Sequence, residues 1–148
     1  MTAGRFNSMR RQYLPPMAAK PPAKRKRTVR RLEDPIQAAI AGYLRVALPR
    51  GAMFWATINE GKRTGQEQGR IRAAGIKPGV PDLFVLHDGR LIGLEVKSAK
   101  GKASDKQTAF ADELRAAGAC WHIVRSIDDA YAALKGEGVP LKVRPVGL

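Results

Sequence analysis

At 148 residues and 44% apolar content, the chain is long enough for one domain with a hydrophobic core and too short to expect two. No run approaches the roughly 18 uncharged apolar residues that cross a bilayer, no apolar leader marks a secretory signal, and the single cysteine, Cys120, excludes an intrachain disulfide or a cysteine-based zinc site. These features predict an intracellular, cytoplasmic protein with no membrane partner, and a net charge of +14 points to polyanions.

That charge is concentrated at the start. Residues 1–32 hold ten basic side chains and no acid, interleaved with proline pairs in "LPPMAAKPPAKRKRTVRR". Residues 1–31 therefore read as a disordered basic tail, and 32–148 as the domain. Such a tail can grip nucleic acid by releasing counterions from phosphates. The bland alternative is a solvated leader, and Met9 and Met17 are alternative initiators.

The domain opens with "DPIQAAIAGYLRVAL", a helix with Asp34 as candidate N-cap, Pro35 at the first helical position and an apolar face at three- and four-residue steps. "AMFWATIN", residues 52–59, is a strand candidate. Residues 60–79 are glycine-rich and basic, a long loop with a short helix near Ile71. Two strands follow, near 82–87 and 90–98, joined by Asp88-Gly89, a strong hairpin signal. A helix over 104–117, a strand in "ACWHIVRS" and a closing helix in "SIDDAYAAL", starting near Ser126 or Asp128, complete the chain. The order predicts an α/β fold with a mixed central sheet flanked by helices. Cys120 reads as a small buried hydrophobe, and His87 and His122 as structural.

The hairpin poses a chemical question. Strand side chains alternate faces, so Asp82 and Phe84 share a face of the first strand, as Glu95 and Lys97 do of the second. A two-residue turn at Asp88-Gly89 pairs His87 with Arg90 and so sets Asp82 opposite Glu95. Like charges facing each other across a ladder destabilise a sheet. A raised pKa, the neighbouring Lys97 or a bound divalent cation would relieve them. A hard ion such as Mg²⁺ suits two carboxylates at a strand end. The structural alternative is a salt bridge from Lys97 to one acid, with the other acid capping the strand.

These residues resemble a known pattern. "PD" at 81–82, with "EVK" at 95–97 starting thirteen positions after the aspartate, is similar to the PD-(D/E)XK nuclease signature. An early acid followed by "IQ", then "NEG", "GVPDL", "LEVKS" and "KQ", resembles the VRR-NUC family more narrowly, over residues about 33 to 134. The resemblance implies a restriction-endonuclease-like core and metal-dependent cleavage of DNA with Mg²⁺ or Mn²⁺. Asp82 and Glu95 would be metal ligands, the Val96 carbonyl would complete the site, and Lys97 would position water and steady the phosphate. Glu33 would be the helix acid, with Asp34 as its alternative. Gln107 would be the family's site glutamine, although "SDKQ" is also a capping box. Asn59 lies in the "NEG" landmark, and Lys62, Arg63, Arg70, Arg72 and Lys77 are candidate phosphate contacts. By analogy, the small stand-alone members imply a homodimer cutting branched DNA such as a Holliday junction. The rivals are a DNA-binding protein that keeps the fold without catalysis, and another metal-dependent hydrolase.

Overall fold

The structure, a computed structural model, describes residues 33–57, 69 and 73–146. Among the described residues seven elements follow one another: α1 (Asp34–Ala47), β1 (Met53–Ala56), β2 (Leu83–His87), β3 (Arg90–Val96), α2 (Asp105–Ala116), β4 (Cys120–Val124) and α3 (Ile127–Gly136). The strands form one mixed sheet in the order β1-β2-β3-β4, antiparallel except for the parallel pair β3-β4. The return from β3 to a parallel β4 requires a crossover, and α2 supplies it.

The hairpin follows the expected register. His87 pairs with Arg90 and Leu83 with Leu94. Both turn residues have positive φ, 49° at Asp88 and 73° at Gly89, the requirement of a type I′ turn. β3 lies between β2 and β4, and every residue from Ile92 to Val96 is buried. One of its faces contributes Ile92, Leu94 and Val96 to the main core, with Leu83, Val85 and Val124 from the sheet. Ile40, Tyr43 and Leu44 of α1 and Ala130 and Leu134 of α3 close over them. At about 1.5–3 kcal/mol for each large aliphatic side chain buried, this layer dominates stability.

The opposite face is covered by α2. A Cβ at Gly93 would meet Pro81 Cγ at 2.9 Å and Leu114 Cδ1 at 3.4 Å, so only glycine lets these close in. Glu95 and Lys97 emerge on this second face.

Several local expectations are corrected. The cap of α1 is Glu33, with Asp34 and Pro35 already inside the first turn. β1 is four residues long, shorter than the eight-residue segment expected, and it is an edge strand. Cys120 is half-buried and donates its thiol hydrogen to Glu137 Oε2 at 3.0 Å, so it is a hydrogen-bonded group and more than a small hydrophobe. His122 meets the other Glu137 oxygen at 2.8 Å, which gives it the structural partner its position called for. The tail, Asn59, Lys62, Arg63, Arg70, Arg72 and the short helix near Ile71 lie outside the described residues.

Candidate active site

The C-terminal ends of β1, β3 and β4 and the start of β2 meet at one edge of the sheet, because β2 runs against the other three. The expected acids gather there. Asp82 stands one residue before β2, held by Thr57, whose N–H donates to the Asp82 carbonyl at 2.9 Å. The Thr57 hydroxyl donates to the Pro81 carbonyl at 2.6 Å. The side chain of Asp82 reaches across to β3, where Oδ2 accepts the Val96 N–H at 2.9 Å. With Leu83 paired to Leu94, the next row places Asp82 opposite Glu95.

Glu95 is 1% exposed, a costly place for a carboxylate. Its Oε1 accepts from Lys97 Nζ at 2.5 Å and also from Gln107 Nε2. Its Oε2 is equally buried and has no hydrogen-bond partner among the described residues. Burial pushes the Glu95 pKa up to about 7; the hydrogen bond and charge of Lys97 pull it down, while the charge of Asp82 and a side-chain hydrogen bond with it push it up again.

Gln107 serves two masters. Its Oε1 accepts the Ser104 N–H at 2.8 Å, and Ser104 Oγ accepts the Gln107 N–H at 3.4 Å, forming the capping box that starts α2. The same side chain offers its amide hydrogens to Glu95. Capping and site contact therefore coexist, since an amide has an acceptor end and a donor end.

Glu33 also arrives at this edge. Its side chain makes no cap bond to α1. Instead, Oε1 accepts a long, 3.4 Å contact from the Ser98 N–H, just past Lys97. Asp34 is exposed on the first turn, so Glu33 is the acid that faces the end of β3. Lys77 is exposed and ion-paired with Glu113 of α2, an exposed pair that a phosphate can compete with.

Two features of the structural alternative are present: Lys97 bridges an acid, here on its own strand, and Asp82 caps a backbone amide of β3. Neither accounts for Glu95 Oε2. Two neighbouring carboxylates, one with a buried oxygen lacking a donor, form an all-oxygen donor set that fits a hard divalent cation. Among the described residues no group of three or more His, Cys, Asp or Glu side chains is preassembled for a metal, so the arrangement is a pair with Glu33 at its margin.

Three contributions were missed by sequence reasoning. Gly79 has φ +81°, and a Cβ there would collide with the Lys106 carbonyl, so the loop leading to Asp82 is jammed against the first turn of α2. A glycine three residues before the aspartate was the available signal. Lys100 and Lys102 are exposed on the loop that leaves β3 directly after Lys97. This loop is tied by Arg125, whose Nη2 donates to the Gly101 carbonyl at 3.0 Å. Its sequence, "SAKGKAS", carries the charge that signals it.

No family model and no curated protein matches the chain. Among solved structures, one titled a VRR-NUC domain protein superposes with a TM-score of 0.58 at 18% identity, over 70% of this chain and 85% of that one. Another, titled a VRR-NUC domain, gives 0.46 at 21% identity, over 70% of this chain and 94% of that one. The four-stranded mixed sheet with its helices has the fold of the VRR-NUC nuclease domain. Among the described residues, no helix is long and apolar enough to cross a membrane.

Proposed function

We propose that this protein, which has the VRR-NUC fold, is a metal-dependent nuclease that hydrolyses DNA phosphodiesters at the sheet edge bearing Asp82, Glu95 and Lys97. The observation that carries the reading is the divided use of Glu95: Oε1 is saturated by Lys97 and Gln107, while buried Oε2 lacks a donor. A buried polar atom without a partner costs about 1–3 kcal/mol, more when charged, unless a ligand compensates it.

Asp82 and Glu95 would hold Mg²⁺ or Mn²⁺, with Glu33 and the Val96 carbonyl completing the set. When bound, such an ion supplies Lewis-acid polarisation and an acidified water. Gln107 and Lys97 fix the Glu95 carboxylate in one rotamer, so its free oxygen is aimed before substrate arrives. Lys97 also offers positive charge beside the scissile phosphate, where negative charge grows during attack. Lys100 and Lys102 extend that positive surface along the backbone of the bound strand. Asn59, Lys62, Arg63, Arg70 and Arg72 belong to the same proposed DNA surface. The basic tail adds a grip that needs no sequence recognition.

At a finer level, the proposed substrate is branched DNA, as for a Holliday-junction resolvase, with two copies of the chain acting on symmetric strands. The test is cleavage of end-labelled junction, flap, single-stranded and duplex DNA with Mg²⁺, Mn²⁺ or EDTA, by the wild type and Glu95→Gln. Metal-dependent cutting lost by at least a hundredfold in the variant supports the nuclease, and the preferred substrate names its task. Binding without cutting under every metal would leave a DNA-binding module on the same fold.

A further inference from the structure

The sheet face that carries the acids also carries an exposed aromatic side chain with no role in the chemistry above. Trp55 lies on β1 opposite Phe84. The two rings stack with centroids 5.5 Å apart and planes 29° from parallel. Phe84 is buried and in turn faces Gly93 across the ladder. Trp55 is thus braced from behind while remaining 38% exposed, and its neighbour Met53 is 55% exposed. Single exposed apolar residues are ordinary on protein surfaces. Three circumstances make this one different.

The first is its row. Trp55, Phe84 and Gly93 form one row across the sheet, and Asp82 with Glu95 forms the next row on the same face. At about 3.3 Å per residue, the two rows are roughly 7 Å apart along the strands. That is about two base-stacking steps of 3.4 Å. The second is its flank. The exposed lysines 100 and 102 follow β3, whereas β1, "MFWA", carries no charge. Lys100 and Lys102 thus offer charge to the backbone of a strand whose phosphate sits at the acids, and β1 itself offers apolar surface to its bases. The third is its rigidity, because a braced indole presents a flat face at little entropic cost.

Resting on the nuclease reading of the acid cluster, and narrowing its branched substrates to those with an unpaired base at the cut, we infer that Trp55 is a stacking platform for that base beside the scissile phosphate, so that a flap is preferred to a fully paired junction. Stacking tolerates any base sequence but needs a base face that a duplex neighbour does not cover. Trp55 is then a specificity residue, while the acids and Lys97 conduct the reaction.

The experiment uses the full chain with Trp121→Phe, leaving Trp55 as the sole tryptophan. The Trp121 indole N–H is buried and has no hydrogen-bond partner among the described residues, so the change costs no bond there. Titration with oligo-dT in EDTA is expected to quench Trp55 emission, and blunt duplex is expected to leave it unchanged. Labelled oligo-dT should bind roughly tenfold more weakly to Trp55→Ala, with Trp55→Phe recovering much of the loss. Flap DNA with an abasic site next to the cut should be cleaved roughly tenfold more slowly by wild type, and no more slowly than intact flap by Trp55→Ala. The quenching arm and the wild-type comparison of intact with abasic flap leave residue 55 intact, so they stand even where an alanine there disturbs folding. Unchanged emission on oligo-dT binding overturns the platform. So does emission that shifts with protein concentration alone as the sedimenting mass doubles, because a second copy would then cover Trp55. Equal flap cutting by wild type and Trp55→Ala, with equal affinity, overturns the platform and keeps the nuclease. Quenching with no cutting of any DNA keeps the platform and removes the nuclease.

Discussion

Glu95 gives its two oxygens different tasks, and that division follows from where its neighbours come from. Lys97 reaches Oε1 from two residues along the same strand, and Gln107 reaches it from the first turn of α2. The face opposite the core was legible in advance, because strand alternation and a two-residue turn leave one register that puts Asp82 across from Glu95. The choice between Glu33 and Asp34 was not, since it depends on how α1 enters the fold relative to the end of β3. Glu137 was equally invisible: nothing in its sequence neighbourhood announces that Cys120, His122 and Arg90 all converge on it. The hydrogen bond from Cys120, followed by that from His122, holds the Glu137 carboxyl below the usual range. A depressed folded pKa means the ionised form favours the fold: the contribution is present above about 4.5 and is lost as pH falls through the folded value. Glu137→Ala should therefore destabilise the protein by about 2 kcal/mol at pH 7, with the gap to wild type narrowing below pH 4.5. Urea unfolding at stepped pH measures this, and a gap that stays constant down to pH 3 would show that the carboxylate charge contributes nothing.

The elements were most legible where local chemistry alone decides them. Asp88-Gly89 dictates its turn through positive φ at both positions, and Ser104 with Gln107 dictates the start of α2. Boundaries set by tertiary contact were harder. β1 is shorter than its β-branched and aromatic content suggested, because an edge strand continues only as far as its neighbour pairs with it. The pairing of Lys77 with Glu113 is likewise tertiary, since α2 brings the acid in from far along the chain. The loop from Gly79 to Asp82 is an element-scale device of the same kind, wedging the aspartate's approach against the α2 N-terminus. Gly79→Ala combines an unfavourable positive φ with a collision against backbone that does not give way. It should cost at least about 2 kcal/mol and shift Gln107 from Glu95. A thermal midpoint within a degree of wild type would show that the loop relaxes without loss.

At the scale of the whole molecule, the fold class was legible because helices and strands alternate around one antiparallel hairpin, which admits few sheet arrangements. The parallel β3-β4 pair follows from the helix between them. The core divides the work: one sheet face, under α1 and α3, holds the molecule together. The other face, under α2, uses part of that stability to keep a buried carboxylate next to a second acid. The raised pKa of Glu95 and its ion pair with Lys97 relieve part of that cost, and the proposed cation would complete the relief at Oε2. The most direct measurement is Mn²⁺ binding followed by loss of the free-ion EPR signal, on the full chain and on Asp82→Asn and Glu95→Gln variants whose folded spectra match wild type. Wild type is expected to bind Mn²⁺, with the affinity weakened at least tenfold in both variants and the ion displaced by excess Mg²⁺. Equal Mn²⁺ binding by all three proteins, or none by wild type in the presence of DNA, would contradict it.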